Sequence, residues 1–394
     1  MPYEHALDTF GAMGPAAAET LVTPEELRRR TIYRRDFVSC NLAFIDCKTP
    51  GSEQKENYSM IGPGVTQSAD QVVNLREPHG FNLGAAAMPN GVTNNLHLHF
   101  TAEVFFNVRG RWRMRWGVEG GDGEHELEPG DVLSIPAWIF RGFTNVGPDD
   151  GWLYVALGFD DTGGIIWAPS VLEEAASHGL YLSRDNELVD TTTGAPVPPA
   201  GERTVPLRAD ELARLRQFTP EEMAGRVCAE AELAWSATPF LCSGLPGGRA
   251  ELALVIGFGM TEDRAQQPKL ADPHNFNAAF LRAEAGEGVL THRQQECQAV
   301  FVTSGRWRAT LNAGPDALDV ELAEDDILSV PPGAWRRFTA VEAGSRLAVV
   351  NGGDGRVRLA WHPEVAAGAV AAGQVLDAAG YVAPQVHFRG RDAR

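Results

Sequence analysis

The sequence has few of the features that mark secreted and membrane proteins. It contains five cysteines, an odd number, and none of them stands in a Cys-x-x-Cys spacing. No stretch approaches the roughly 18 uncharged apolar residues that a membrane span requires. The amino terminus, Met-Pro-Tyr-Glu-His, has no positive region followed by an apolar run. We therefore predict a cytoplasmic chain with reduced thiols and without a signal peptide.

Positive charge is also scarce. Lys and Arg total 34 against 52 Asp and Glu, which gives a formal net charge of −18. Nucleic acids and anionic membranes bind basic surfaces, so we expect neither as a partner. With 394 residues, of which 44% are hydrophobic, the chain has the composition of a globular protein. It is long enough for two domains, each with its own core.

Two histidines and a glutamate carry the strongest chemical signal. His97, His99 and Glu103 share odd parity, so a β-strand over residues 97–108 would present all three side chains on one face. Two imidazoles and one carboxylate on a rigid strand can hold a divalent metal and leave coordination positions open for substrate or O2. The alternative is a polar strand face turned to solvent.

The chain contains one internal repeat. Gly110-Arg-Trp-Arg recurs at Gly305, a shift of 195 residues, and the same shift carries His79 onto His274. Further matches at or near this shift are Ile61-Gly-Pro-Gly-Val-Thr with Ile256-Gly-Phe-Gly-Met-Thr, Thr23-Pro-Glu-Glu-Leu with Thr219-Pro-Glu-Glu-Met, and Trp167-Ala-Pro-Ser-Val with Trp361-His-Pro-Glu-Val. So long a period indicates duplication of a whole domain rather than a solenoid. We predict two homologous units, 1–195 and 196–394.

At this point the sequence resembles the cupin superfamily of small β-barrels. The family's first motif is His-x-His, then Glu, then Gly, and its counterparts here are His97, His99, Glu103 and Gly110. The second motif is Gly-Asp, a short strand, Pro and a final His, and its counterparts are Gly130, Asp131, Pro136 and Arg141. The arginine is a departure, because it stays protonated and cannot ligate a metal. The resemblance implies a mainly β protein of two tandem cupin barrels (double-stranded β-helix, or jelly-roll) with a few short helices. It also implies three protein ligands for the metal.

The second half retains little of this site. The shift of 195 places His97, His99 and Glu103 on His292, Gln294 and Gln298. One histidine with two amides is a poor ligand set, although Glu296 has the parity to point inward. We therefore expect one metal per chain, in the first unit. Arg141 falls on Arg336, so the arginine recurs in both halves.

Arg141 has two interpretations. As the candidate catalytic residue, its cation anchors an anionic substrate group beside the metal. Alternatively it is a structural cation paired with a barrel carboxylate such as Glu103, an interpretation favoured by its recurrence as Arg336. Phe105, Asn107 and Trp138 fall near the predicted cavity and are further candidate substrate contacts.

The predicted chemistry is that of a three-ligand metal site. Two histidines and a carboxylate suit Fe(II), and the resemblance implies ring- or C–C-cleaving dioxygenases. The leading hypothesis is an Fe(II)-dependent dioxygenase acting on a small anionic or enolisable organic substrate and O2. One alternative is a lyase, decarboxylase or isomerase that uses Mn, Ni or Zn as a Lewis acid. Another is a non-catalytic binding or structural bicupin, because fold does not fix function. The resemblance also implies a homo-oligomer, most simply a dimer.

Overall fold

A computed structural model describes residues 18–388, which form two compact units. The first unit is Phe37–Glu232. The second unit combines residues 18–36 with residues 233–388. The first five residues, on which the signal-peptide prediction rests, lie outside the described part. None of the helices within residues 18–388 is both long enough and apolar enough to cross a membrane.

The elements follow one another as short strands with a few short helices. The second unit begins with helix α1 (Pro24–Arg30) and strand β1 (Thr31–Ile32). The strands of the first unit are β2 (Glu56–Ile61), β3 (Val73–Leu75), β4 (Phe81–Met88), β5 (Thr93–His99), β6 (Glu103–Arg109), β7 (Trp112–Trp116), β8 (Gly123–Leu127), β9 (Val132–Ile135), β10 (Arg141–Asn145), β11 (Gly151–Gly158), β12 (Ile165–Trp167), β13 (Leu180–Leu182), β14 (Leu188–Asp190) and β15 (Val227–Cys228). Its helices are α2 (Pro169–Ser177), α3 (Ala209–Leu212) and α4 (Pro220–Ala224).

The remainder of the second unit repeats this plan. Its strands are β16 (Trp235–Ser236), β17 (Ala250–Ile256), β18 (Phe276–Ala283), β19 (Gly288–Arg293), β20 (Gln298–Ser304), β21 (Trp307–Leu311), β22 (Leu318–Leu322), β23 (Ile327–Val330), β24 (Arg336–Ala340), β25 (Ser345–Gly352), β26 (Ala360–Trp361), β27 (Gln374–Leu376) and β28 (Val382–Pro384). Helix α5 (Pro363–Ala371) lies between β26 and β27.

Each unit pairs a seven-stranded sheet with a five-stranded sheet. The first unit has the orders β15-β9-β6-β11-β4-β2-β3 and β12-β5-β10-β7-β8, and the second has β1-β23-β20-β25-β18-β17-β16 and β22-β21-β24-β19-β26. Strands β4, β6, β7, β9 and β10 coincide with β18, β20, β21, β23 and β24 at the shift of 195 seen in the sequence. The predicted mainly β fold of two tandem barrels is confirmed.

The boundaries of the units differ from the predicted ranges 1–195 and 196–394. Residues 18–36 group with the second unit, and residues 196–232 group with the first. Strand β1 pairs with β23, through Thr31 opposite Leu328, and β15 pairs with β9, through Val227 opposite Leu133. The segment that opens each repeat therefore supplies an edge strand to the unit that holds the other repeat. Sequence identity between repeats cannot reveal such an exchange.

The cores lie between the two sheets of each unit. In the first unit, Phe105 of the seven-stranded sheet packs in one cluster with Trp112 and Phe143 of the five-stranded sheet. Trp307 occupies the position equivalent to Trp112 in the second core. Both tryptophans are fully buried. Burying these aromatic rings supplies much of the hydrophobic stabilisation of each barrel.

Candidate metal centre

Neighbouring strands bring the three predicted ligands together. His97 and His99 are the last inward residues of β5, and Glu103 begins β6 after a short turn. Arg141, at the start of β10, pairs directly with His97 in the antiparallel ladder. A β-bulge follows, because Phe143 lies opposite Asn94 rather than Asn95. The bulge bends β5 just before its first histidine.

The ligand atoms of His97, His99 and Glu103 all lie within 4.8 Å of one another, and all three residues are buried. Glu103 Oε1 is 3.5 Å from His99 Nε2, and Glu103 Oε2 is 4.0 Å from His97 Nε2. No other group of three or more His, Cys, Asp or Glu within residues 18–388 could hold a metal ion in this way. The parity argument from the sequence thus corresponds to one compact donor set in space.

The hydrogen bonds of the histidines leave the correct nitrogens available. His97 Nδ1 lies 2.7 Å from the carbonyl oxygen of Asn95, and His99 Nδ1 lies 3.3 Å from that of Gly164. A proton on each Nδ1 satisfies these carbonyls and leaves the lone pair of each Nε2 free. His99 Nε2 is buried without a hydrogen-bond partner. A metal ion would satisfy this otherwise orphaned nitrogen.

The charge states also suit metal binding. Burial lowers the pKa of both histidines, and the Arg141 cation lowers it further, so both rings are neutral ligands at neutral pH. Burial alone would raise the pKa of Glu103, but Arg141 and His99 outweigh it and hold that pKa well below its usual range. Two neutral imidazoles and one carboxylate are the form that binds a divalent cation. The residues present therefore fit a metal.

Arg141 is bound to Glu103. Its Nε–H donates to Glu103 Oε2 at 2.8 Å and one Nη1–H donates to the carbonyl oxygen of Ile139 at 2.9 Å. The side chain is fully buried. This is the carboxylate pairing that the sequence left open as the structural interpretation. The role of Arg141 as a substrate anchor stays a prediction.

A pocket opens beside the ligands. It has a volume of about 620 Å³ including its mouth, and His97, His99 and Glu103 form part of its wall. Most of the remaining wall is apolar, with side chains such as Phe44, Leu83, Phe143, Val155, Leu157 and Ile165. Polar residues that the sequence analysis did not select also line it, among them Lys55, Glu56, Tyr58 and Asn94. The internal repeat could have pointed to two of them. At the shift of 195, the polar residues Lys55 and Asn94 correspond to the apolar residues Ala250 and Val289, so their polarity is specific to the first unit.

The other candidate contacts lie away from this pocket wall. Phe105 is fully buried in the core against Phe143, with ring centroids 5.2 Å apart. Asn107 donates to the carbonyl oxygens of Gly110 and Leu127, at 3.0 and 3.2 Å. Trp138 is 45% exposed. None of Phe105, Asn107 and Trp138 is among the residues that line the pocket, and neither is Arg141.

The second unit fills the same positions with neutral amides. Gln294 Nε2 and Gln298 Nε2 each donate to Asn351 Oδ1 at 2.9 Å. Arg336 Nη1 lies 3.3 Å from Gln298 Oε1, where Arg141 meets a carboxylate in the first unit. His292 is fully buried, and its Nε2 has no partner. The two glutamines share Asn351 Oδ1 as their acceptor, so the positions of His99 and Glu103 are taken by hydrogen-bonded amides.

Comparison with known proteins gives likeness in structure. No family model and no curated protein matches the chain by sequence. A mutant oxalate decarboxylase from Bacillus subtilis superposes with a TM-score of 0.50 at 13% identity, covering 86% of this chain and 79% of that chain. Vicilin from Corylus avellana (hazelnut) superposes with a TM-score of 0.50 at 11% identity, covering 84% of this chain and 87% of that chain. Both likenesses concern the fold.

Proposed function

Because the chain has the two-domain fold of the cupin superfamily, we propose that it is a metal-dependent enzyme whose reaction takes place at the donor set of the first unit. The observation that carries the proposal is the buried group of His97, His99 and Glu103 beside a pocket, with the Nε2 of His99 unpartnered. A buried polar atom without a partner is costly in a folded protein. An unpartnered Nε2 also occurs at His292, so the ligand role is supported here by its convergence with His97 and Glu103 at a pocket wall.

A divalent ion held by His97, His99 and Glu103 would polarise a carbonyl or carboxylate oxygen of the substrate as a Lewis acid. The chain's own groups then determine which substrate fits. Arg141 is paired with Glu103, and Lys55 is paired with Asp46. The buried charges beside the donor set therefore cancel in these two pairs, and neither pair would compensate the charge of the ion. An anionic substrate would supply the missing negative charge.

The pocket wall refines the substrate class. Its side chains are mostly apolar, which favours an organic acid that has a hydrocarbon body in addition to its anionic group. Glu56 and Tyr58 line the same pocket, and Tyr58 Oη–H donates to Glu56 Oε2 at 2.6 Å. A hydrogen-bonded carboxylate and phenol can hold or accept a proton during a reaction. The Glu56–Tyr58 pair would thus supply the proton transfer of a non-redox reaction.

We propose a lyase, decarboxylase or isomerase reaction as the first candidate. The fold neighbour from Bacillus subtilis is an oxalate decarboxylase, and the charge balance and proton-handling pair support the same class. The second candidate is an Fe(II)-dependent dioxygenase, which the set of two histidines and one carboxylate favours. The two candidates differ in whether O2 is consumed.

The experiment combines metal analysis with substrate turnover. Protein purified under anaerobic conditions is analysed for Mn, Fe, Ni and Zn, and then incubated with a panel of keto acids and aromatic acids while O2 and CO2 are followed. One metal ion per chain and substrate loss without O2 uptake would support the lyase class. Uptake of one O2 per substrate would support the dioxygenase instead. Protein that binds no stoichiometric metal after reconstitution would overturn both and leave a binding or structural role.

A further inference from the structure

A buried charged cluster lies next to the metal ligands in the first unit. It consists of Asp46, Lys55 and Asn94, whose exposed fractions are 0%, 3% and 4%. Lys55 Nζ donates to Asp46 Oδ1 and to Asn94 Oδ1, the latter at 2.6 Å. Ionised side chains are rarely buried so completely. Burying an ion pair has a desolvation cost, so a fully buried pair calls for a physical reason.

The cluster contacts the chain just before the first ligand, at Asn94 and Asn95, three and two residues ahead of His97. Asn94 is fixed by Lys55, and its Nδ2 lies 3.2 Å from His97 Nδ1. Asn95 donates its main-chain N–H to Asp46 Oδ2 at 3.0 Å, and its carbonyl is the group 2.7 Å from His97 Nδ1. The cluster thus reaches the ring of His97 from the side opposite its free Nε2. The Asn95 carbonyl accepts the Nδ1 proton and so sets the tautomer of His97, whereas Asn94 Nδ2, itself a donor, contacts the ring edge and restricts its orientation.

The second unit is an internal control for this arrangement. Its bulge precedes His292 in the same register, with Val289 opposite Phe338. There the neutral Cys242 thiol, whose S–H donates to the carbonyl oxygen of Gly248 at 3.6 Å, lies near the main chain of Leu290, the counterpart of Asn95. Ala250 and Val289 replace Lys55 and Asn94 at the shift of 195. The second unit therefore forms the same bulge without a buried ion pair.

The buried ion pair beside the bulge is found in the unit that has the donor set. In the first unit, which has His99 and Glu103, the bulge lies against Asp46, Lys55 and Asn94. In the second unit, where glutamines replace those two ligands, the charged residues are absent. We infer that Asp46, Lys55 and Asn94 form a positioning cluster that fixes His97 for metal binding. The inference rests on the metal site of the proposed function. It assigns to Lys55 and Asp46 a role in metal affinity that the fold alone does not demand.

The test uses the full chain and Co²⁺ as the probe. In the double variant Asp46→Asn, Lys55→Met, the amide keeps an acceptor for the Asn95 N–H, Met fills the volume of the lysine, and no unpaired charge is left buried. We expect Co²⁺ affinity, measured by calorimetric titration, to fall about 10- to 100-fold. The visible absorption bands of bound Co²⁺ should shift, because the His97 ring is no longer held. A variant with unchanged affinity and an unchanged spectrum would overturn the inference.

Two further variants keep the result interpretable. Asn94→Val introduces the residue that the second unit already accommodates, and it should lower Co²⁺ affinity by about tenfold without removing the ion pair. If the double variant does not fold, unchanged Co²⁺ binding by Asn94→Val would overturn the inference. The control Lys48→Met, Asp190→Asn removes another ion pair of the same unit, which contacts none of the ligands. It should leave affinity and spectrum unchanged, and an equal loss there would show general loosening and overturn the inference.

The wild-type titration separates this inference from the proposed function. Wild-type protein that binds one Co²⁺ at His97, His99 and Glu103, together with an unaltered double variant, would remove the positioning cluster and leave the metal site intact. Wild-type protein that binds no Co²⁺ would overturn both.

Discussion

The interiors of the two units differ although their strands agree. In the first unit, β5 and β6 place two imidazoles and a carboxylate within 4.8 Å of one another, facing a pocket. In the second unit, the equivalent positions hold Gln294, just after β19, and Gln298, at the start of β20, and both donate to a common acceptor, Asn351. Asn351 lies opposite Gln298 where Leu157 lies opposite Glu103. The second unit thus holds hydrogen-bonded amides where the first holds the candidate donor set, in the same strand register.

The comparison also shows which parts of the site the fold needs. Both arginines at the start of β10 and β24 are fully buried, and both lie opposite a histidine in the ladder. Only Arg141 has a carboxylate partner, Glu103. Burial lowers the pKa of Arg336 to about 9. An arginine at this position is therefore compatible with a barrel that lacks the donor set, which favours a structural role.

The largest expected effect comes from copying the second interior into the first. The double variant His99→Gln, Glu103→Gln should bind no metal, so that metal content falls from one ion per chain to none, because a single histidine remains. Elemental analysis after reconstitution and dialysis measures this. The matched control His292→Gln should retain one ion per chain. If the control lost metal, or if the double variant kept it, the site would be elsewhere.

The next effect concerns the two arginines in metal-free protein. Arg141→Met leaves the carboxylate of Glu103 buried and unpaired and should lower the free energy of unfolding by about 3–5 kcal/mol. Arg336→Met removes a buried cation that has only neutral hydrogen-bond partners, and its loss should be clearly smaller. Urea unfolding in the presence of a chelator compares them. Equal losses would contradict the structural pairing, and unaltered stability with weakened substrate binding would restore Arg141 as an anchor.

A third contrast concerns Gln67 and Glu262, which occupy equivalent positions in the two units at the shift of 195. Both side chains accept a tryptophan indole N–H, from Trp167 at 3.0 Å and from Trp361 at 2.9 Å. Burial raises the pKa of Glu262 from its ordinary 4.5 to about 8. Between these values the folded protein holds a proton that the unfolded chain has released, so stability falls as pH rises through this window.

The variant Glu262→Gln removes that titration. Relative to wild type, its free energy of unfolding should become larger, and the variant so more stable, by a few kcal/mol as pH rises from about 5 to about 9, since each pKa unit is worth about 1.4 kcal/mol. Urea unfolding at three pH values measures the trend, and Gln67→Glu should produce the opposite trend in the first unit. Parallel pH profiles for wild type and both variants would refute the buried acid.

The smallest expected effect is the gain of a second site. Gln294→His, Gln298→Glu and Asn351→Leu together restore the donor set and remove the amide that bridges it. Because His292 and Arg336 keep the register of His97 and Arg141, the triple variant should bind a second Co²⁺. Its affinity should be about tenfold or more below that of the first site, because no counterpart of Lys55 and Asp46 is present. Two equal sites in a titration would contradict the positioning cluster, and the absence of a second site would show that register alone is insufficient.

Several features could be predicted from local pattern. The parity of His97, His99 and Glu103 predicted one donor face because strand side chains alternate with a period of two, and the structure brings these three together. The shift of 195 predicted the duplicated strands. Trp138 was selected because it lies close to the motif along the chain, which does not predict where its side chain points. In the structure its φ is +62°, its N–H donates to the carbonyl oxygen of His99, and its side chain is 45% exposed. Phe105 had the inward parity but lies in the core.

The sequence by itself determined the duplication and the placement of His97, His99 and Glu103 on one face, because these depend on periodicity and spacing that can be read locally, and its resemblance to the cupin motifs predicted the barrels. Only the tertiary structure decided which distant residues serve the site. Lys55 and Asp46 reach His97 through a bulge in β5, Arg141 reaches Glu103 across 38 positions of sequence, and residues 18–36 group with the second unit. Such contacts are set by sheet order and by the cost of burying unpaired charge, and neither is expressed in the spacing of residues along the chain.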